Sequence, residues 1–211
     1  MIKIEKTEVY GWESAIRGMR NPINSWDKSD TKYFDHGGVF RVPKIGSNDL
    51  KLMKSLSKAG NDHGKFLRMI NVTCDITAPL YFFKEYDTYK VATVANSCST
   101  MHTIHKKEFT LDDFSHEHLT PWNETVLRNL IVELNESRNQ YLHSKKKEDW
   151  WQMIQLLPSS YNQKRTVQLN YQVLKSMYFA RKNHRLDEWH ALCEWMEGLP
   201  YFKDIVLEIN E

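Results

Sequence analysis

With 211 residues, 41% of them hydrophobic, the chain is long enough for one large domain with a real core and short for two. Lys and Arg total 29 against 27 Asp and Glu, and a formal charge of +2 lacks the basic face expected of a nucleic-acid binder. Cys74, Cys98 and Cys193 lie outside any C-x-x-C pattern. They predict a reducing compartment with no disulfide framework and no thiolate zinc site.

No apolar run approaches the ~18 residues of a membrane span, and MIKIEKTEVYGW lacks a signal-peptide core. The expectation is a soluble, cytoplasmic protein with no membrane or nucleic-acid partner.

In chain order, Ile2 and Ile4 alternate with Lys3 and Glu5, which predicts a strand over Met1–Val9 that Gly11 breaks. Trp12–Arg20 suits a short helix. Asn21–Gly46, with its Asn-Pro and Gly37-Gly38, reads as a long loop insertion. Ser47 is placed to cap the next helix, with Asp49 in its first turn, Leu52, Met53 and Leu56 facing inward, and Gly60 as its stop. His63 follows in a turn-like Asn-Asp-His-Gly.

Leu67–Ile76 alternates cleanly, with Ile70, Val72, Cys74 and Ile76 on one face. It leads into Thr77–His102, the stretch around which the rest is organised. Thr77 or Ala78 would cap a helix with Pro79 in its first turn. Phe82, Phe83 and Tyr86 repeat at helical spacing, and Lys90 continues that stripe. The hydroxyl-rich Thr93, Asn96, Ser97, Ser99 and Thr100 come next. An aromatic helix running into a cation and then hydroxyls can cradle an anionic or planar ligand; it also fits an amphipathic helix ending in a polar loop.

His102, His105, His116 and His118 have short spacings that metal ligands use, which leaves a metal-dependent hydrolase as one alternative. KKEFTLDDF between them resembles a surface strand and turn. Thr120-Pro121 opens a long helix with Val126, Leu127, Leu130, Ile131 and Leu134 as its inward stripe. Lys145–Lys147 reads as a solvated helix junction, with an anion site as the lesser alternative, and Trp150, Trp151, Ile154 and Leu157 make a short apolar helix that Pro158 ends. Thr166–Asn170 is a brief extended piece. The following helix carries Val173, Leu174, Met177 and Tyr178 inward, and Arg181 extends that row. A cation so aligned must pair, because burying it alone is prohibitive. Its guanidinium suits a phosphate or carboxylate, while snorkelling to solvent is the alternative. A last helix presents Trp189, Leu192, Cys193 and Met196 before Gly198 and Pro200. Strands mixed with longer helices and no repeat predict a single α+β domain over 1–211, a small, mostly antiparallel sheet packed by several long helices.

This order of elements resembles the flavin-dependent thymidylate synthases, whose signature reads A-P-x-x-x-x-R-Q-x-x-R-H-R-x-x-S-x-N-E-x-S-x-R. Ala78-Pro79 match it, Lys84-Glu85 stand at Arg-Gln, and Thr88-Tyr89-Lys90 stand at Arg-His-Arg. Thr93 falls at the serine, and Asn96 with Ser99 follow after a one-residue slip. Downstream, Leu157-Pro158 match, Asn170 falls at an asparagine near the flavin, and Arg181 falls at the arginine that holds the nucleotide. Upstream, His63 falls at the first histidine of H-E-x-P-F-E-H.

The resemblance implies FAD as cofactor, with NADPH and methylenetetrahydrofolate as co-substrates. It implies a pyrimidine deoxynucleotide (dUMP or a relative) as the acceptor of a one-carbon unit at C5, and a homotetramer. On the matched positions, His63, Lys90, Thr93, Asn96 and Asn170 bind the cofactor, Glu85 and Arg181 bind the substrate, and Ser99 is catalytic. The alternative is a non-catalytic, homo-oligomeric protein of the same fold that binds nucleotide or flavin, because only one cation of the Arg-His-Arg triplet is kept.

Overall fold

Why Gly11 separates the first strand from the first helix is plain in the computed structural model, which describes residues 2–34 and 42–208. Its φ is +91°, and a Cβ there would lie 2.1 Å from the Met69 carbonyl oxygen. Only glycine fits such a turn. The elements are β1 (Lys3–Tyr10), α1 (Trp12–Arg20), α2 (Ser47–Lys58), β2 (Asn71–Pro79), α3 (Leu80–Tyr86), β3 (Val94–Ser97), α4 (Pro121–Ser144), α5 (Lys147–Leu156), β4 (Asn162–Asn170), α6 (Tyr171–Arg181) and α7 (Asp187–Glu197). The strands form one antiparallel sheet in the order β1-β2-β4-β3, and the fold is α+β as the sequence predicts.

The chain divides into two compact units. One comprises Met1–Lys3, Ile76–Thr88 and Asn96–Arg165; the other comprises Ile4–Asp75, Tyr89–Ala95 and Thr166–Glu211.

The first unit is built on α4. Thr120 caps it by accepting from the Asn123 N–H, and Pro121 opens it. Leu127, Ile131 and Leu134 bury against Ile104, Phe109, Phe114 and Met153. Val126, expected on that inward stripe, is instead 53% exposed. The expected surface strand between the histidines is absent, and short 3₁₀ turns at Ile104–Lys106 and Leu111–Asp113 take its place. Asn135 of α4 accepts from the Phe109 N–H at 2.8 Å and donates to its carbonyl at 2.9 Å. One side chain thereby supplies the pairing that a neighbouring strand would have given, while Phe109 enters the core.

Pro79 ends β2 rather than opening α3, and neither Thr77 nor Ala78 serves as the cap. The first N–H groups of α3 are satisfied from elsewhere, Leu80 by the Tyr161 carbonyl and Tyr81 by the Ser159 carbonyl, each at 3.0 Å. The helix stops at Tyr86. The Asp87 carboxylate is drawn to Arg165 at 2.6 Å, and the Thr88 hydroxyl bonds the Glu85 carbonyl at 2.7 Å. Lys90 is therefore not on the helical stripe that the sequence predicts.

In the second unit, Trp12 packs edge-on against Tyr171 and Tyr201, with ring centroids 5.6 and 5.7 Å away. Gly46, not Ser47, is the N-cap of α2. Asp30 does the capping from a distance, accepting from the N–H groups of Asn48 at 2.9 Å and Asp49 at 3.1 Å. The bond from the Asn48 N–H is the main reason that its carboxyl is held below the usual range. Beneath it lies a buried ion pair, Arg20 Nε to Asp49 Oδ1 at 2.7 Å.

The described part of the expected 21–46 loop contains 3₁₀ turns at Asn21–Ile23 and Trp26–Lys28; residues 35–41 of that loop lie outside the described residues. The predicted strand at Leu67 begins only at Asn71, because Gly64–Arg68 coils into a 3₁₀ turn that buries Phe66 and Leu67. β4 is longer than predicted, and a turn of π-helix at Lys203–Leu207 has no counterpart in the sequence-based expectations.

Candidate functional site

Arg181 ends α6 below the buried Leu174 and Met177, where the exposed carbonyls of a helix terminus favour a cation. Its guanidinium carbon lies 4.9 Å from the ring centroid of Trp189 and 5.6 Å from that of Tyr89. Nε donates to the Tyr89 hydroxyl at 3.0 Å. Tyr89 itself meets Trp189 edge-on at 6.0 Å. The arginine is thus neither buried in the core nor waving in solvent; it rests half-buried on an aromatic shelf. Cation–π contacts of this kind contribute about 0.5–2 kcal/mol. The Thr93 hydroxyl donates to the Tyr89 carbonyl and fixes the chain just after Lys90, whose ammonium is exposed. The second unit therefore gathers Arg181 and Thr93 around Tyr89, with Lys90 next in the chain.

Asn170 caps α6, accepting from the Val173 N–H at 3.1 Å, and is buried. His63 lines a cavity of about 500 Å³ in the same unit. Its wall is largely apolar, with Met19 from α1, Leu52 and Leu56 from α2, then Phe66 and Met69; Asp62 and Lys65 add charge beside His63. Leu52 and Leu56 face this cavity instead of being fully buried with Met53.

The first unit holds Glu85, Asn96 and Ser99. Glu85 is half-buried on α3, and Asn96 is exposed on β3 at the sheet edge. Ser99 organises a turn: its hydroxyl oxygen accepts from the N–H groups of Met101 at 3.2 Å and His102 at 2.9 Å. Its carbonyl accepts from the Thr103 hydroxyl at 2.6 Å.

Arg165 is a charged residue that the sequence-based expectations missed. It lies 3.8 Å over the Phe83 ring, bonds Asp87, and donates from Nε to Gln163 Oε1 at 3.0 Å. The signal was available. Gln163, Arg165, Val167 and Leu169 share one parity of β4, so Arg165 sits on the strand face that elsewhere is buried.

The histidines do not converge. His116 donates from Nδ1 to the Phe114 carbonyl at 2.8 Å, and His102 and His105 line a separate small cavity. Among the described residues no three His, Cys, Asp or Glu are grouped to hold a metal ion, and no helix is long and apolar enough to cross a membrane.

No protein-family model matches the chain, and no curated protein matches it in sequence. Solved structures do match its fold. The thymidylate synthase X (ThyX) of Helicobacter pylori, solved with FAD and dUMP, superposes with a TM-score of 0.69 at 16% identity, covering 99% of each chain. A second structure, of the flavin-dependent thymidylate synthase ThyX from Helicobacter pylori complexed with FAD and dUMP, gives 0.68 at 16%, covering 98% of this chain and 99% of that one. The chain therefore has the fold of the flavin-dependent thymidylate synthases.

Proposed function

We propose that this chain is a divergent flavin-dependent thymidylate synthase-like enzyme that transfers a one-carbon unit to C5 of a pyrimidine deoxynucleotide, dUMP or a relative. The observation that carries the proposal is the superposition over nearly the whole chain on structures holding FAD and dUMP. Bound FAD would supply the redox chemistry, with NADPH and methylenetetrahydrofolate as co-substrates.

The residues fit such a group. The apolar cavity beside His63 suits a flat ring system, with Lys65 near for an anion. His63, Lys90, Thr93, Asn96 and Asn170 would hold the cofactor. Asn170 would act largely through its backbone and through α6, since its side-chain oxygen already caps that helix. Arg181 would take the nucleotide phosphate, pre-oriented by Trp189 and the Tyr89 hydroxyl, so little side-chain freedom is lost on binding. Glu85 would accept from the pyrimidine edge. Ser99 would act at the pyrimidine, and its hydroxyl hydrogen has a fixed origin because the oxygen is pinned by two N–H groups. Assembly as a homotetramer is part of the same proposal.

Incubating the purified chain with FAD tests it. Retained flavin absorbance after desalting, and dUMP-dependent oxidation of NADPH in the presence of methylenetetrahydrofolate, are expected; no flavin bound at any concentration refutes the cofactor assignment.

A second function, nucleotide or flavin binding without turnover, has its own support. Ser99 already spends its oxygen on a turn, and one cation remains of the triplet Thr88-Tyr89-Lys90. Complementation of a thymidine-requiring bacterium separates the two: growth without thymidine excludes the non-catalytic alternative, and failure with intact dUMP binding favours it.

A further inference from the structure

The corner between α4 and α5 holds chemistry that the proposed function does not use. A cavity of about 290 Å³ there is walled by His102, His105, Tyr141, Lys145, Lys147 and Trp150, all within the first unit. The backbone explains how two lysines come to face one small space. α4 terminates on Lys145 in the left-handed conformation, φ 56°, with its N–H bonded to the Tyr141 carbonyl at 2.8 Å. Two residues later Lys147 opens α5.

The electrostatics are one-sided. No carboxylate lines the cavity. Glu148 and Asp149 follow on α5, but the Asp149 carboxylate accepts from the Ser144 hydroxyl. Among the described residues neither Lys145 nor Lys147 has an ion-pair partner, and Lys145 Nζ only approaches the Tyr141 ring face, 5.8 Å from its centroid. The His105 ring stands edge-on to Tyr141 at 5.0 Å, and its Nδ1 is buried with no hydrogen-bond partner. A buried polar atom left unpaired is costly unless something else supplies its partner. Trp150 commits its indole N–H to the Met101 carbonyl at 3.0 Å, and its half-buried ring meets Trp151 edge-on at 4.8 Å while giving the cavity an aromatic wall.

We propose that this corner binds a phosphorylated ligand that carries a flat ring, with the phosphate between Lys145 and Lys147 and the ring against Trp150. Lysine serves phosphate as a point charge, and the aromatic wall accepts any π-face. The volume lies at the lower end of small-molecule pockets, so the ligand is of mononucleotide size and not a dinucleotide. The Ser99 turn supports the wall, because its hydroxyl holds the backbone of Met101 and His102. None of its lining residues is among those assigned above to flavin or nucleotide, although its wall shares the Ser99 turn with that proposal.

Calorimetric titration of the full chain with AMP, adenosine and inorganic phosphate tests it. AMP binds, adenosine and phosphate bind at least about tenfold more weakly, and added salt weakens AMP. Lys147→Ala and Lys145→Asn each weaken AMP about five- to tenfold, as for exposed charge-assisted contacts. Asparagine tolerates the left-handed backbone at that position. Arg181→Ala leaves AMP affinity unchanged. No AMP binding at millimolar concentration, equal affinity for phosphate alone, unchanged affinity in both lysine variants, or a loss confined to Arg181→Ala overturns the proposal.

Discussion

Asp49→Asn isolates the buried ion pair under α2. Asp49 is fully buried and accepts from Arg20 Nε at 2.7 Å, Ser29 Oγ at 2.8 Å, Thr31 Oγ1 at 2.6 Å, and the N–H groups of Asp30 and Thr31 at 3.1 Å each. Arg20, also buried, spends its other nitrogens on the Ser25 and Lys28 carbonyls and the Ser25 hydroxyl. Asparagine keeps the shape but removes the charge and turns one acceptor into a donor among donors. An uncompensated guanidinium then remains in the interior, at a cost of about 3–5 kcal/mol, or roughly 6–20 °C in melting temperature for a chain of this size.

Burial alone would raise the Asp49 carboxyl, but bonds from Thr31, Ser29 and Arg20 outweigh it and hold it below the ordinary range. A folded pKa below the unfolded value stabilises above about pH 3.9, and the contribution is lost as pH falls through the folded value. Urea unfolding should therefore show a constant gap between wild type and variant from neutral pH down to about 5, narrowing below about 4. Replacing both partners, Arg20→Met with Asp49→Leu, should recover only part of the loss, because the N–H groups of Asp30 and Thr31 and the carbonyls of Ser25 and Lys28 lose their partners. A single-variant cost under about 1 kcal/mol refutes the reasoning, since surface pairs reach no more than that.

Three further outcomes are expected. Arg181→Ala should weaken dUMP roughly 10- to 150-fold, the value of a lost charge-assisted contact, with Arg181→Lys recovering only part; apo stability should fall by no more than about 2 kcal/mol, from the lost aromatic stacking. A larger apo loss with unchanged dUMP affinity makes the residue structural. Asn135→Leu should cost about 2–5 kcal/mol in urea unfolding, because both polar groups of the Phe109 backbone lose their partner at once. Gly11→Ala should destabilise by more than about 1 kcal/mol, since strain at positive φ is joined by a clash with the Met69 carbonyl; an unchanged melting curve would show that the turn relaxes freely.

The elements were legible where one periodicity governs many residues. Leu127, Ile131 and Leu134 on α4, and the row Leu174, Met177 and Arg181 on α6, follow directly from spacing. What escaped was set by partners distant in sequence. Asp30 caps α2 across 18 residues, and Asn135 replaces a strand for Phe109 across 26. The carbonyls of Ser159 and Tyr161 start α3 in place of a local cap. None of these leaves a local signature. Arg181 was legible as a cation in need of a partner, but its partner was not. Tyr89 stood in the triplet only as a departure from the family pattern, and it is the residue that holds Arg181.

That departure bears on how a fold persists at 16% identity across 99% of the chain. A core position asks for apolar volume at the right period, which many residues satisfy, so packing survives wide substitution. A phosphate site asks for charge at a point, which few residues satisfy. Tyr89 cannot replace a cation, but it can raise the value of one that remains, by fixing Arg181 against Trp189 before a ligand arrives. Losing charges and gaining pre-orientation act oppositely on affinity. A removed charge contact costs about 1.5–3 kcal/mol, and one immobilised side chain returns about 0.5–1.5. On the proposed function, one aromatic clamp offsets at most about one lost cation, and a chain lacking more of them is expected to hold a nucleotide more weakly or to bind a ligand bearing less charge.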